Sequence, residues 1–226
     1  MIKAIVTDIE GTTSSLSFVN EILFPYARAN LADYIRRHQE EPPVKALLDD
    51  VCREAGVDLD TEQIIAQLIE WLDDDKKVMP LKSLQGMVWE AGYLQDDFKG
   101  HIYPDAAVNL QAWKAKGLDL YSYSSGSVLA QKLLFTHTEY GDLTPLFSGY
   151  FDTGIGGKKE QASYCKLAIQ LGLPPDKIVF LSDSKDELDA AQAAGFETIG
   201  LVRDGLPDPQ IKHWQVNSFD MIAAAI

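Results

Sequence analysis

Met1-Ile-Lys-Ala-Ile-Val-Thr-Asp8-Ile-Glu10-Gly11-Thr-Thr-Ser-Ser15 opens the chain, an apolar run that ends in acidic and hydroxyl residues. Positions 2 and 4–6 are apolar with little alternation, which is typical of a strand buried on both faces of a parallel sheet. Ligands of open α/β sheets bind at the carboxyl ends of the strands. We therefore expect an α/β fold in which the polar end of this strand carries function.

Two carboxylates, Asp8 and Glu10, follow this strand. Residues two apart in an extended chain leave on the same face, so both carboxylates are expected to point the same way. Gly11 lets the backbone turn, and the Thr and Ser residues after it offer hydroxyl and amide groups to an anion. On this spacing alone, a strand that stops at a solvated acidic turn is the alternative.

The composition describes an acidic protein with enough apolar residues for a core. Hydrophobic residues make up 46% of the 226 residues, and the formal net charge is −14. A field of this sign argues against nucleic acid and against an anionic membrane surface as partners. A small phosphorylated substrate remains compatible, provided that a metal ion and a local cation offset the acids around it.

Three features of the sequence bear on location and oligomeric state. No apolar run reaches the roughly 18 residues of a membrane-spanning helix, and the first strand starts at Met1 without space for a signal peptide. We therefore expect a cytoplasmic protein, and a monomer, since no large apolar seam is visible. Cys52 and Cys165 fall in helical patterns and are expected to be reduced, buried thiols.

Residues 16–99 form a nearly all-helical block. The helices are predicted from about Pro25 to Glu40, from Val44 to Ala55, from Thr61 past Leu72, and from Pro80 to Gly92. Thr61 is expected to be the N-cap of the third helix, and glycines to close the second and fourth. The stretch from Leu16 to Phe24 fits either a short hairpin or a turn into a helix.

From Gly100 onward, predicted helices alternate with predicted strands. The strands are expected at 118–123, 150–152, 177–181 and 197–202, with helices at 104–116, 128–137, 159–171 and 185–194. This alternation implies right-handed crossovers and a parallel sheet. We predict a Rossmann-like core formed by residues 1–15 and 100–226, with residues 16–99 inserted as an all-helical domain.

Polar residues follow three of the predicted strands at the same edge of the sheet, and a glycine-rich loop adds a lysine. These groups are Asp8 with Glu10, Ser124 with Ser125, Asp183 with Glu187, and Gly154-Ile-Gly-Gly-Lys158. Each has a plain structural alternative: the serines and Asp183 can cap helices, and Lys158 can be a solvated surface amine. Their combination in this order favours a shared site.

Phosphoryl-transfer chemistry explains such a combination. Carboxylates with a few backbone oxygens suit Mg²⁺, which is bound by carboxylates, substrate phosphate and retained waters. An Asp beside the ion can attack phosphorus and form an aspartyl-phosphate intermediate. Hydroxyl, amide and ammonium groups then hold the three peripheral oxygens, and a further carboxylate protonates the leaving oxygen and activates water.

The four motifs resemble the signature motifs of the haloacid dehalogenase superfamily, and the inserted helical block resembles one class of its cap domains. One departure is informative, because the common pattern has Asp where Glu10 stands. A Glu there, together with Tyr123-Ser-Ser-Gly-Ser-Val and Ile155-Gly-Gly-Lys158, resembles the enolase-phosphatase branch of that superfamily.

The resemblance implies catalytic and metal-binding roles. Asp8 would be the nucleophile and a Mg²⁺ ligand, and Asp183 the second carboxylate ligand. Glu10 matches the general acid/base and would also reach the metal, through its backbone carbonyl. Glu187 matches a supporting acid that acts through water. Because Glu10 is one methylene longer than Asp, its carboxyl group must fold back or lie nearer the carbon chain of the substrate.

The resemblance also implies the substrate contacts and the reaction. Ser124 and Ser125 match substrate-phosphate contacts, and Lys158 matches the phosphate-binding lysine. The implied substrate is 5-methylthio-2,3-dioxopentyl phosphate of methionine salvage, which is enolised and then loses phosphate to give the acireductone. We add the hypothesis that Glu10 also moves the proton alpha to the carbonyl.

Three other functions compete with this reading of the sequence. One is a generic Mg²⁺-dependent phosphatase of the same superfamily that acts on another phosphorylated metabolite. A metal-free dehalogenase is disfavoured, since the paired acids Asp183 and Glu187 indicate a cation. A binding module without catalysis is disfavoured by the intact Asp8 and Lys158.

Overall fold

The computed structural model describes residues 1–222. The chain divides into two compact units, one made of Met1–Phe18 with the chain from Lys99 onward, the other of Val19–Phe98. The helices, in chain order, are α1 (Phe24–His38), α2 (Pro42–Ala55), α3 (Thr61–Asp73), α4 (Met79–Leu94), α5 (Pro104–Ala115), α6 (Val128–Thr136), α7 (Gln161–Leu171), α8 (Lys185–Ala193) and α9 (Phe219–Ile222).

Six parallel strands form a single sheet in the first unit. They are β1 (Ala4–Thr7), β2 (Asp119–Tyr123), β3 (Phe147–Phe151), β4 (Ile178–Ser182), β5 (Glu197–Leu201) and β6 (Trp214–Val216). Their order across the sheet is β3-β2-β1-β4-β5-β6, and every neighbouring pair is parallel. The structure confirms the predicted α/β fold with a Rossmann-like parallel sheet.

Strand β1 lies where the strand order reverses, with β2 on one side and β4 on the other. All residues of β1 and β4 are buried, as the unbroken apolar runs predict for strands covered on both faces. One covering layer is a cluster in which Ala4 and Val6 pack with Tyr164 and Leu167 of α7 and Leu188 of α8. Reversal of the order opens a crevice at the carboxyl ends of these strands.

The shorter elements of this unit were misplaced or missed in the prediction from the sequence. Strand β3 runs from Phe147 to Phe151 rather than over 150–152, because Ser148 and Gly149 have low β-propensity and hide its beginning. Strand β6 and helix α9 were not predicted. They have three and four residues, too few for a visible period.

The helical unit has its own apolar core. It is formed by one face of each of its four helices, with Leu31, Val51, Leu68, Trp71 and Leu84 among its buried members. Of the two alternatives for the stretch before α1, the turn into a helix is right: Phe18–Leu23 forms a π-helical segment that leads into α1.

Two predicted helix ends in this unit are wrong. The N-cap of α3 is Asp60, not Thr61, because Asp60 and Gln63 form a reciprocal capping box with hydrogen bonds of 2.9 Å each way. Helix α4 continues past Gly92 to Leu94. Glycine stands at this interior position of the helix because a Cβ there would lie 2.7 Å from the Tyr26 ring and 2.6 Å from the Phe98 ring.

The prediction of two buried thiols is also wrong. Cys165 is exposed and Cys52 is half-buried, and both are free. Cys165 lies on the solvent side of α7, whose buried face is formed by Tyr164, Leu167 and Ala168. No helix within residues 1–222 combines the length and the apolar character needed to cross a membrane.

Candidate active site

The carboxyl ends of the central strands bring three of the predicted site residues into direct contact. The Lys158 ammonium lies 2.5 Å from Asp8 Oδ1 and 2.9 Å from Glu187 Oε2. All three residues are buried. The alternative of a solvated surface amine at Lys158 is therefore excluded.

Two tyrosines hold the glycine-rich loop that carries Lys158. The Tyr164 hydroxyl donates to the Lys158 carbonyl at 2.6 Å, and the Tyr123 hydroxyl donates to the Gly156 carbonyl at 2.9 Å. Burial alone would lower the pKa of the Lys158 ammonium, but the charges of Asp8 and Glu187 outweigh it and raise that pKa. Lys158 is therefore a fixed, permanently charged cation at neutral pH.

Glu10 and Ser124 form a second contact within the site. The Ser124 hydroxyl donates to Glu10 Oε2 at 3.1 Å and accepts a hydrogen bond from the Gly126 amide at 3.0 Å. Burial, followed by the negative charge of Asp8, raises the pKa of Glu10. Ser125 lies on the same loop and is exposed.

The loop after β1 is a tight turn. The amides of Thr12, Thr13 and Ser14 all donate to the Ile9 carbonyl, at 3.1, 2.9 and 2.9 Å. The Thr13 hydroxyl donates to the Asp8 carbonyl at 3.2 Å. These bonds fix the backbone of Asp8 and Glu10 relative to the end of the strand.

Asp183 lies against the backbone of this loop at Gly11. An added Cβ at Gly11 would come within 2.3 Å of Asp183 Oδ2, and the φ of Gly11 is +74°, a conformation that favours glycine. Partial removal of the Asp183 carboxylate from water, and then the charge of Asp8, raise its pKa to about 6. Asp183 is followed by Ser184, which occupies the N-cap position of α8.

Glu187 is held in the first turn of α8 by a hydrogen bond from within the site. The Ser182 hydroxyl donates to Glu187 Oε2 at 2.8 Å, on the same oxygen that pairs with Lys158. Burial and then the charge of Asp8 raise the pKa of Glu187. Its carboxylate therefore orients Lys158 while adding to the negative charge around Asp8.

The site holds more negative than positive charge. Asp8, Glu10, Asp183 and Glu187 supply up to four negative charges against the one positive charge of Lys158, a balance of 1 − 4 = −3. This excess fits a divalent cation. Within the described part of the chain, no three or more His, Cys, Asp or Glu side chains are placed to hold a metal by themselves. A site with fewer than three such side chains suits Mg²⁺, which one or two carboxylates bind together with substrate phosphate and water.

We predict that Gly11→Ala lowers kcat by about tenfold to 10²-fold, the usual result of a displacement near 1 Å in a catalytic group. The new methyl group must push Asp183 away, and the backbone must leave its left-handed conformation. Steady-state kinetics of phosphate release would measure the change. Gly56→Ala is the matched control, because Gly56 also has positive φ, +73°, but has nothing within 4 Å; equal losses in the two variants would contradict the prediction.

The residues that hold the site together were not predicted from the sequence. These are Tyr123, Tyr164, Ser182 and Gln131, whose amide donates to the carbonyls of Gly126 and Phe151 at 2.9 and 2.8 Å. Tyr164 lies on an apolar helix face, which predicts only core packing. A hydroxyl or amide within such a face was the one available signal, since buried polar groups need partners.

Comparison with known proteins agrees with this geometry. The family profile described as "Hydrolase: haloacid dehalogenase-like hydrolase" matches residues 2–195. A crystal structure of the UTR4 protein of Saccharomyces cerevisiae superposes with a TM-score of 0.84 at 32% sequence identity, covering 97% of this chain and 99% of that one.

Curated relatives extend the similarity over the chain. Enolase-phosphatase E1 of Methylococcus capsulatus is 58% identical over 206 residues, which is 91% of each protein. Enolase-phosphatase E1 of Yersinia pestis is 53% identical over 227 residues, covering 100% of this chain and 99% of the relative. The chain therefore belongs to the haloacid dehalogenase-like hydrolases and, among them, to the enolase-phosphatase E1 family.

Proposed function

We propose that this phosphatase converts 5-methylthio-2,3-dioxopentyl phosphate to 1,2-dihydroxy-3-keto-5-methylthiopentene and phosphate, by enolisation followed by phosphate release, in methionine salvage. The observation that carries the proposal is the position of Glu10, a carboxyl group with a raised pKa that is hydrogen-bonded to Ser124 beside Asp8. Relatives named enolase-phosphatase E1 at 53–58% identity support the same pair of steps, enolisation and phosphate release.

Phosphate release begins with attack of an Asp8 oxygen on phosphorus. The new O–P bond gives an aspartyl phosphate as the ester O–P bond breaks, and Glu10 supplies the proton that the leaving oxygen needs. The raised pKa of Glu10 favours the protonated form required at this point. Glu10 then takes a proton from water, which attacks phosphorus, releases phosphate and restores Asp8.

The remaining residues stabilise the charge on the transferred phosphoryl group. Lys158 is buried and charged next to Asp8, and Ser124 presents its hydroxyl beside Glu10. Mg²⁺, when bound, would neutralise the peripheral oxygens and lower repulsion between Asp8 and the substrate phosphate. The carboxylates of Asp8 and Asp183 and the carbonyl of Glu10 are the groups we assign to hold it.

The enolisation step places a second demand on Glu10. The product has its double bond between C1 and C2, so the proton leaves C1, which is also the carbon that carries the phosphate ester. Only the ester oxygen separates C1 from phosphorus, so one flexible carboxyl group can serve both steps. We assign to Glu10 the transfer of this proton from C1 to the carbonyl oxygen at C2: its carboxylate takes the proton from C1, the carboxylic acid gives it to the oxygen, and Glu10 takes up a proton from solvent before phosphate release.

We further propose that Val19–Phe98 is the cap domain of this family and that the enzyme works as a monomer in the cytoplasm. The helical unit has its own apolar core and is an insertion between β1 and α5. Two free cysteines are in keeping with a reducing compartment.

Removal of the metal tests the proposed chemistry. Phosphate release from the diketo phosphate should stop when EDTA is present in excess and return when Mg²⁺ is added beyond the chelator. A parallel sample with Ca²⁺ in place of Mg²⁺ is the control, since the larger ion takes six to eight ligands in flexible geometry. Unchanged release in EDTA would refute a role for the metal.

We predict that Glu10→Gln slows enolisation and phosphate release together, each by about 10²-fold, the lower end of the contribution expected from a general acid or base. The amide keeps the size of the side chain and can accept a hydrogen bond from Ser124, but it cannot carry the proton. Enol absorbance and released phosphate, followed in one sample, report both steps. Normal enolisation with loss of dephosphorylation alone would show that another group moves the C1 proton.

A further inference from the structure

Arg203 carries a cationic side chain that is largely buried and that the proposed reaction does not use. It follows strand β5 by two residues, at the same edge of the sheet as Asp8 and Asp183, and only 6% of its side chain is exposed. It also lies beyond residues 2–195, the part of the chain that the family profile matches. Burying a guanidinium is costly unless it is fully paired, so its partners indicate its role.

The guanidinium joins the loop after β1 to helix α5. Its Nε and Nη2 groups both donate to the Thr12 carbonyl, at 2.8 and 2.6 Å, and Nη1 donates to Asp105 Oδ2 at 2.7 Å. Its Cζ lies over the Tyr103 ring, 4.1 Å from the centroid. This fork geometry is specific to arginine, because lysine presents a single ammonium.

Asp105, the partner of Arg203 on α5, is itself held in place by hydrogen bonds. Its Oδ2 accepts hydrogen bonds from the Phe219 amide at 2.7 Å and from the Ser218 hydroxyl at 3.1 Å. Burial alone would raise the pKa of Asp105, but these bonds and the charge of Arg203 outweigh it and lower that pKa. Asp105 therefore remains a carboxylate at neutral pH.

The bonds that the Thr12 carbonyl accepts can set the position of the proposed nucleophile, Asp8. The amides of residues 11–14 are used inside the turn, on the Ile9 carbonyl and the Ser14 carbonyl. The carbonyls of Thr12 and Thr13 instead bind outside the loop, to Arg203 and to the Tyr103 amide at 2.9 Å. Two peptide units between Asp8 and the end of the loop are thus tied to the body of the unit.

We propose that Arg203 is a positioning residue that holds the loop from Asp8 to Ser14 in its reactive geometry through the Thr12 carbonyl. The proposal rests on the assignment of Asp8 and Glu10 as the reacting carboxyl groups. Without this bond the turn keeps its internal hydrogen bonds and the bond from the Tyr103 amide to the Thr13 carbonyl, but it loses its second external attachment and can pivot about the first. A shift near 1 Å at a catalytic group costs about 10²-fold in rate.

Arg203→Lys and Arg203→Ala test the proposal. We expect kcat to fall by about 10²-fold in Arg203→Ala, while KM changes by less than about threefold, since no substrate contact is lost. Guanidinium ion, at concentrations far below those that unfold proteins, should restore part of kcat in Arg203→Ala and none in Arg203→Lys, whose ammonium fills the site.

Asn109→Ala is the matched control. Asn109 is buried in the same region, and its amide donates to the Asp105 carbonyl and to Asp220 Oδ1 at 2.8 and 2.7 Å without touching the loop. Its loss should lower Tm and leave kcat unchanged. If Arg203→Ala does not fold, the kcat of Arg203→Lys relative to Asn109→Ala decides the question.

An unchanged kcat with lowered Tm in the Arg203 variants, or a fall in kcat equal to that of Asn109→Ala, would overturn the proposal. Absence of rescue by guanidinium in folded Arg203→Ala would overturn it too. The kinetics are measured on the diketo phosphate and on a simple phosphate ester. If the wild-type enzyme acts only on the simple ester, the proposed function fails, and the ratio of kcat values on that ester still tests Arg203.

Discussion

Replacing Asp8 with Asn should lower kcat for phosphate release by about 10⁴-fold or more, the scale on which loss of a covalent nucleophile acts. The amide is a poor nucleophile, so the aspartyl phosphate cannot form. The amide is also a weaker ligand for Mg²⁺ than the carboxylate it replaces. The measurement is kcat for phosphate release with saturating Mg²⁺, because a metal deficit then contributes least.

The same variant should keep its fold. Lys158 retains Glu187 at 2.9 Å, and loss of the Asp8 charge removes a repulsion that raises the pKa values of Glu10, Asp183 and Glu187. We therefore expect a Tm equal to or above that of the wild-type protein in the absence of metal. Activity above about one per cent of the wild-type rate in Asp8→Asn would identify another nucleophile.

Lys158→Met should lower kcat for phosphate release by about 10³-fold, the upper end of the effect of removing one group that stabilises transition-state charge. The loss has two causes. The phosphoryl oxygens lose a buried cation, and the carboxylates of Asp8 and Glu187 lose the charge that offsets them. The charge of Lys158 lowers the pKa of Glu187, so that pKa must rise further once the ammonium is gone.

Lys159 provides a matched control on the adjacent position. Its ammonium also pairs with a carboxylate, that of Asp186 at 2.8 Å, but both side chains are exposed. An exposed pair contributes little to stability, so Lys159→Met should leave both kcat and Tm nearly unchanged. Equal effects of the two substitutions on kcat would contradict the role of Lys158.

The parallel sheet and the edge that carries the site were predictable because few folds are compatible with the pattern of apolar runs and helical periods. Unbroken apolar runs separated by helical periods allow little but a parallel sheet, and parallel strands place their carboxyl ends on one edge. Helix ends were less predictable. Asp60 and Thr61 are both good N-caps, and the choice depends on Gln63, which completes a capping box with Asp60.

The groups that we assign to the reaction were visible in the sequence, whereas the groups that hold them were not. Asp8, Glu10 and Lys158 follow strands or glycines in motifs whose spacing is local. Arg203 is 191 residues from its partner Thr12, and no local pattern connects them. A polar residue soon after the buried strand β5, at the same edge as the other three strand ends, was a signal that the sequence did contain.

A time course on 5-methylthio-2,3-dioxopentyl phosphate with Mg²⁺, recording enol absorbance and released phosphate in one sample, tests the two-step reaction most directly. We predict a transient enol that forms before phosphate appears, followed by one phosphate for each substrate molecule consumed. In Asp8→Asn we predict the enol signal without phosphate release. Phosphate release from simple esters, with neither step detectable on the diketo compound, would contradict the proposed function and leave a phosphatase with a different substrate.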